Sequence, residues 1–339
     1  MIAITGGGTG GHLSIVKALK NELNSRGIEP IYIGSDRGQD RAWFEEAEGF
    51  LQKYFLSSQG VVNKKGIKKL VALKEILKSS FICKDIFKKH NITSLICVGG
   101  YSAAPASIAT IFSKVNLYIH EQNATIGKLN KILKPFAKEF FSSYESSSPV
   151  KDYPVDKIFF EKRREIERLK TIIFLGGSQG STAINNLALE IASELAKRGI
   201  KIIHQSGKND FSRIRSFYEQ NGIEADIFDF DKNLIDKISQ ADFAISRSGA
   251  STLWELCALG IPSLFIPYPY AASDHQYFNA KMLANKNLAL LRRESEIKSR
   301  DILQEIENLD LKIISKNLKN AISPNGAEKI IECIYPRKS

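Results

Sequence analysis

Cysteine is scarce and scattered. The 339 residues hold four, Cys83, Cys97, Cys257 and Cys333, with no C-x-x-C pair, which excludes a zinc ribbon and a disulfide framework. Each sits among apolar neighbours, so the expectation is buried thiols in a reducing compartment. Long apolar runs are missing too. No stretch approaches the roughly 18–20 uninterrupted apolar residues a membrane span needs. The opening Met-Ile-Ala-Ile-Thr-Gly-Gly-Gly has neither the basic start nor the extended apolar stretch of a signal peptide, and the reading is a soluble intracellular protein. Acidic residues are the minority, 37 against 48 Lys and Arg, giving a net charge of +11. Such a surface favours phosphates, nucleic acid or acidic lipid. The rest is ordinary: 43% hydrophobic and 25% charged, with 23 Gly and 10 Pro. Disorder and collagen-like repeats are excluded, and at about 150 residues per domain the length suggests two domains.

Short apolar runs alternate with helical patterns. Strands are expected at 2–5, 30–34, 94–98 and 117–120, with helices at 13–26, 67–89 and 104–112 between or beside them, an arrangement of parallel βαβ units. The second half restarts with a strand at 171–175, a glycine loop at 176–181 and a helix at 183–198, then strands at 201–204, 226–230, 243–246 and 263–267. The strand–glycine loop–helix unit thus occurs twice, and the reading is two Rossmann-like α/β domains in tandem. Residues 142–168 are irregular, serine-rich and then charged, which puts a hinge at 154–158. Ser323-Pro324-Asn325-Gly326 breaks the chain before a last helix at 327–334.

The first glycine loop, Gly6-Gly7-Gly8-Thr9-Gly10-Gly11-His12, fits G-x-G-x-x-G. Side-chain-free backbone at a helix N-terminus lets a diphosphate approach N–H groups, and Asp36 could serve as the ribose acid of a dinucleotide site. His12 at the loop's mouth is either a packing neighbour or a general base, kept neutral by the helix N-terminus. A second anion cradle runs from Ser246 through Ser248, Gly249, Ala250, Ser251, Thr252 and Leu253 to Glu255. Glu255 suits a pair of ribose hydroxyls or, alternatively, compensates the helix dipole. In a third segment Asp274 is followed by Gln276, which reads sugar hydroxyls or is simply solvated. Asp229-Phe230-Asp231 spells D-x-D but has no neighbouring ligand residues and reads as structural, so no obligatory metal is expected.

With Gly99-Gly100-Tyr101-Ser102-Ala103-Ala104-Pro105, His120-Glu121-Gln122-Asn123 and Gly176-Gly177-Ser178-Gln179-Gly180, these segments occur in an order that resembles the MurG family of peptidoglycan N-acetylglucosaminyltransferases, over essentially the whole chain. The resemblance implies a GT-B fold, two Rossmann-like domains with parallel sheets facing a cleft. Residues 1–155 would form the acceptor and membrane domain, with a C-terminal helix within 325–339 packing back on it; residues 156–324 would bind UDP-N-acetylglucosamine. It implies inverting transfer of N-acetylglucosamine to the C4 hydroxyl of the muramyl sugar of lipid I, giving lipid II, without a cofactor.

Carried over residue by residue, Thr9, Gly10, Gly11, Asn123, Ser178, Ala250, Ser251, Thr252, Leu253, Glu255 and Gln276 match donor-contacting positions. Glu255 would hold the ribose and Gln276 the sugar. His12 is the candidate base, with Glu121 the runner-up, and Gly99, Gly100, Tyr101 and Ser102 suit the acceptor diphosphate. One departure stands out: Tyr153-Pro154-Val155-Asp156-Lys157 replaces the family's Asn-Pro-Val-Arg hinge, so an acid occupies the cation's position. Lys157, Arg163 or Arg164 could substitute.

Between residues 61 and 90 there are nine lysines, from Lys64 to Lys89, and two acids. Ile67, Leu70, Val71, Leu73, Leu77 and Phe81 recur there at helical spacing. A basic amphipathic segment suits anionic lipid at a membrane's cytoplasmic face; alternatively, the apolar stripe faces the domain's own core. Aromatic residues are too sparse there for a single-strand nucleic-acid platform, and no nucleic-acid partner is expected. Competing readings are an NAD-dependent oxidoreductase, a 2-epimerase or soluble-acceptor glycosyltransferase of the same fold, and a non-catalytic UDP-sugar or lipid-carrier sensor.

Overall fold

The computed structural model describes residues 1–60, 66–177, 179–231 and 233–336. The chain divides into two compact units, Met1–Lys157 with Pro324–Ser339, and Ile158–Ser323. In the first, strands β1 (Ile2–Thr5), β2 (Ile31–Ser35), β3 (Gln52–Leu56), β4 (Ser94–Cys97), β5 (Asn116–Glu121) and β6 (Ala137–Ser142) form one sheet in the order β3-β2-β1-β4-β5-β6. Every pairing is parallel. Helices α1 (Gly10–Ser25), α2 (Asp40–Phe44), α3 (Gly66–Lys89), α4 (Ala104–Ile111) and α5 (Lys128–Leu133) connect them. β1 and β4 are buried along their whole length, which is why they read as continuous apolar runs. The edge strands β3 and β6 are only partly buried and leave no such signature; the sequence reading missed both.

The second unit repeats the plan. Strands β7 (Thr171–Leu175), β8 (Lys201–Gln205), β9 (Ala225–Phe228), β10 (Phe243–Ser246), β11 (Ser263–Phe265) and β12 (Leu290–Leu291) pair in parallel as β12-β11-β10-β7-β8-β9. Around them run α6 (Lys157–Glu161), α7 (Thr182–Lys197), α8 (Phe211–Gln220), α9 (Leu234–Ile238), α10 (Ala250–Leu259), α11 (His275–Ala284), α12 (Ser299–Glu307) and α13 (Leu311–Ala321). Helices α1, α7, α8 and α10 share one stop signal, a left-handed glycine followed by isoleucine. In each, the Ile N–H (Ile28, Ile200, Ile223, Ile261) bonds back five residues to a helix carbonyl, the geometry that a C-terminal glycine permits. In both units strand order reverses beside the first strand. Each unit therefore has its own crevice at the C-terminal edge of its sheet, flanked by the loops after β1 and β4 in the first and after β7 and β10 in the second, where open α/β sheets bind ligands.

The last helix, α14 (Gly326–Ile334), belongs to the first unit and packs on α1. Arg26 fastens the two, donating to Glu22 at 2.9 Å and to Glu332 at 2.8 Å. Glu22 is almost fully buried, and a buried carboxylate needs such partners. Cys83, Cys97 and Cys257 are buried, but Cys333 on α14 is exposed. Gly326, Ala327, Ile330, Ile331 and Ile334 form the buried stripe of that helix, and position 333 falls outside it.

The hinge departure has a local explanation. Asp156 accepts from Asn21 Nδ2 at 3.2 Å and pairs with Lys17 at 3.4 Å, both on α1. Lys157 pairs with the buried Glu22 at 3.1 Å. Arg163 donates to the Ala258 carbonyl, and Arg164 to the Ala241 carbonyl and Asp242, each at 2.7 Å. These side chains fasten backbone and helices.

Candidate functional site

In the first unit, β1 runs straight into Gly6-Gly7-Gly8, all with positive φ, and Thr9 is the extended residue ahead of α1. The loop is held from beneath by Asp40, which is fully buried. Its carboxylate accepts the Gly8 N–H at 2.6 Å, the Ser35 N–H at 2.9 Å and the Tyr32 hydroxyl at 3.0 Å. Burial, with Asp40 beside it, raises the Tyr32 phenol far above its usual range, so Tyr32 remains a donor; its hydroxyl also contacts the Gly6 carbonyl at 2.9 Å. A dinucleotide diphosphate would need these loop amides, and Asp40 already holds one of them. Asp36 lies exposed and pairs with Arg37 at 4.0 Å. Nothing in the linear sequence connects Asp40 with Gly8; only the sheet brings them together.

The Gly99 segment closes over this loop. Gly7 N–H donates to the Gly99 carbonyl at 3.2 Å. A β-carbon at Gly8 would collide with the Tyr101 ring, which explains the glycine there. Tyr101 therefore packs on the first glycine loop, while Ser102 is buried with no partner for its hydroxyl among the described residues.

His12 lies over Gly99, where a β-carbon would come within 3.3 Å of His12 Nε2. Its Nδ1 is 3.0 Å from Thr9 Oγ1, and Nε2 is 2.8 Å from Gln122 Nε2. An amide N–H can only donate. The ring nitrogen facing it therefore accepts, and the ring proton sits on Nδ1, given to Thr9. The Tyr153 hydroxyl donates to the other end of Gln122 at 3.4 Å.

Glu121 is buried and engaged at both carboxylate oxygens. One carboxylate oxygen accepts the Asn123 N–H at 2.9 Å and its Nδ2 at 3.4 Å. The other accepts the Gly127 N–H at 2.9 Å and Asn130 Nδ2 at 2.8 Å. That set shapes the turn carrying Gln122 and Asn123. Beside it, His120 is buried with neither ring nitrogen partnered among the described residues; burial, and then the proximity of His12, lower it to about 3.

In the second unit, the loop after β7 turns on Gly177 and Gly180, whose positive φ angles glycine supplies. Ser181 caps α7 by accepting the Ile184 N–H at 3.3 Å. Ser178 lies outside the described residues. After β10, Gly249 stands at the N-cap of α10 with no side chain to satisfy the first-turn N–H groups. Ala250 and Ser251 are buried there, and Thr252 and Glu255 are half-buried. Leu253 is wholly buried in the core, so only its backbone can meet a ligand. Ser248 at the same crevice is buried with no partner for its hydroxyl among the described residues. Gln276 on α11 accepts the Tyr268 N–H at 2.9 Å, which leaves its amide nitrogen as the group to offer a sugar. Asp229 and Asp231 accept the neighbouring Phe230 and Asn233 N–H groups at 2.6 and 2.7 Å, local turn bonds that fit the structural reading of D-x-D.

Two families of loops with backbone donors, each at a strand-order reversal, suit phosphate-bearing ligands. The glycosyltransferase family 28 N-terminal domain matches residues 2–142, and the family's C-terminal domain matches residues 171–334. The chain belongs to glycosyltransferase family 28. Within that family, a Campylobacter fetus subsp. fetus protein named UDP-N-acetylglucosamine--N-acetylmuramyl-(pentapeptide) pyrophosphoryl-undecaprenol N-acetylglucosamine transferase is 54% identical, over 98% of this chain and 99% of its own. The Wolinella succinogenes protein of the same name is 49% identical over 98% and 99%. The MurG resemblance read from the motifs stands. The crystal structure of Acinetobacter baumannii MurG superposes with a TM-score of 0.76 at 24% identity, covering 98% of each chain, a likeness in fold.

The α3 stripe is resolved as well. Ile67, Leu70, Val71, Leu73, Leu77 and Phe81 are 41 to 80% exposed. The helix instead buries Ala72, Ile76, Ser79, Ser80, Cys83, Ile86 and Phe87. The alternative that the stripe faces the core is therefore overturned. Lys68, Lys69, Lys74 and Lys78 are exposed on the same helix; Lys64 and Lys65 lie outside the described residues.

Proposed function

We propose that this chain transfers N-acetylglucosamine, with inversion, from UDP-N-acetylglucosamine to the C4 hydroxyl of the muramyl sugar in undecaprenyl-diphosphate-linked muramyl-pentapeptide, converting lipid I to lipid II in peptidoglycan synthesis. The observation that carries this reading is the full-length match, at about half of all positions, to transferases of that name. The donor lies at the second unit: Glu255 takes the ribose hydroxyls, Gln276 donates to the sugar, and the amides of Ala250, Ser251 and Thr252 at the start of α10 receive the diphosphate. Charge developing on the departing UDP is stabilised by those oriented amides, so the proposal includes no obligatory metal or cofactor.

His12 is the base. Its Nδ1 proton is committed to Thr9, which leaves Nε2 as the basic nitrogen; the acceptor hydroxyl displaces the Gln122 amide from it and passes its proton there as the C4 oxygen attacks the anomeric carbon. Glu121 is a positioning residue for Gln122 and Asn123, because its four hydrogen bonds already occupy both oxygens. Gly99, Gly100, Tyr101 and Ser102 flank His12 and suit the acceptor diphosphate, with the buried Ser102 hydroxyl as a donor.

The protein works at the cytoplasmic face of the bacterial inner membrane, as a peripheral protein. Supporting this are the exposed apolar residues of α3 and the lysines around them, which together favour an anionic lipid surface.

Purified protein with labelled UDP-N-acetylglucosamine and a short-prenyl lipid I analogue tests the reading. Label is expected in the lipid product with or without EDTA. Loss of transfer in EDTA, restored by a divalent cation, refutes metal independence. Donor binding without transfer across several prenyl lengths refutes the acceptor assignment.

A further inference from the structure

Three loops at the C-terminal edge of the second sheet are tied together by a dipeptide that no motif marks. Arg293 and Glu294 follow β12 almost directly, and their backbone is fixed by a local cap in which the Arg293 N–H donates to Glu296 Oε2 at 2.7 Å. Their side chains diverge. Arg293 pairs with Asp274 Oδ2 at 2.6 Å, and its guanidinium lies 4.1 Å above the Tyr277 ring in the first turn of α11. Glu294 Oε1 takes Arg247 at 2.5 Å, while that guanidinium also reaches the Ile266 and Pro267 carbonyls at 3.1 and 3.0 Å. One side chain therefore grips the loop ahead of Gln276, and the other grips the loop ahead of α10.

The backbone says why a grip is needed. Ser273 and Asp274 are consecutive non-glycine residues with φ of 53° and 51°. Left-handed conformations of this kind persist where the surroundings hold them, and they cluster at functional sites. Asp274 Oδ1 is buried with no partner among the described residues, so the Arg293 contact is the compensation that this carboxylate has. Half-exposed ion pairs contribute little to global stability. What this pair fixes is the direction in which α11 starts, and with it the position of Gln276.

Resting on the donor assignment above, we propose that Arg293 and Glu294 are positioning residues for the nucleotide sugar. Arg293 aims the loop that presents Gln276 to the hexosamine. Glu294, through Arg247, sets the loop whose amides meet the diphosphate. Neither touches the donor itself.

The two halves of the clamp leave different signatures, because UDP lacks the hexosamine. Dissociation constants of UDP and UDP-N-acetylglucosamine are measured by calorimetry on the full chain and on Arg293→Gln, Arg293→Lys and Glu294→Gln, with melting temperatures recorded for each. For Arg293→Gln, UDP-N-acetylglucosamine is expected to weaken about tenfold while UDP changes less than about twofold and the melting temperature holds. Arg293→Lys keeps the charge opposite Asp274 but loses the planar stack, and falls between. Glu294→Gln is expected to weaken both ligands equally, about three- to tenfold. Equal losses in Arg293→Gln, no loss in it, or unchanged binding in Glu294→Gln overturns the proposal. Unmodified protein that binds neither ligand overturns the donor assignment itself.

Discussion

Gln122 Nε2 donates to His12 Nε2 across 2.8 Å, and His12 Nδ1 faces Thr9 Oγ1 at 3.0 Å. The candidate base is thus held at both ring nitrogens in a single tautomer. Replacing His12 with alanine should lower kcat by about 10²–10⁴-fold, the range for losing a general base, with donor affinity retained. Gln122→Glu sets a carboxylate against the ring and favours its charged form, so the acidic limb of the kcat/KM profile is expected to move to higher pH. Steady-state kinetics across pH 5–9 checks both, and an unmoved limb in Gln122→Glu refutes the pairing.

Glu121 gives a contrasting expectation. Its oxygens accept from two backbone N–H groups and two side-chain amides. Glu121→Gln turns an amide donor against those donors and leaves buried groups unpaired, for about 1–3 kcal/mol apiece. Urea unfolding should register that loss of stability, with reduced turnover following from the displaced turn. A variant of native stability with abolished turnover would make Glu121 the base instead.

Acid should weaken the fold through two histidines. His120 and His204 are each lowered to about 3, mainly by burial, against about 6.5 when unfolded. The unfolded chain therefore binds more protons between about pH 6.5 and 3. Stability from the neutral rings is complete above pH 6.5 and is lost as pH falls toward 3. The urea midpoint should be lower at pH 5 than at pH 7.5. His120→Phe should shrink that difference without loss at pH 7.5, because both His120 ring nitrogens lack partners among the described residues. An undiminished difference in the variant counts against this assignment.

On α3, Leu70, Leu77 and Phe81 are more than half exposed. Changing all three to glutamine should leave the melting temperature within a few degrees while sharply reducing sedimentation with vesicles rich in anionic lipid. Salt should reduce binding of the unmodified protein as well, since the exposed lysines act through screened charge. Undiminished sedimentation of the triple variant would separate this helix from the membrane.

The sequence by itself determined the tandem α/β plan, the two glycine loops and the central strands. Burial on both faces writes β1, β4, β7 and β10 as apolar runs, and left-handed or tightly packed turns demand glycine at fixed offsets. Edge strands β3, β6 and β12 escaped notice because partial burial imposes no such pattern. Tertiary structure alone decided which polar groups are already occupied. Asp40 beneath Gly8, Gln122 against His12, Glu121 within its own turn and Arg293 on Asp274 are partners brought together by strand order and loop closure. A hydrogen bond between residues 32 or 110 positions apart has no period or spacing for a linear pattern to carry. The same holds for α3: helical spacing revealed an apolar stripe, but only packing decided that a second face, which includes Ser79 and Ser80, would be the one turned inward.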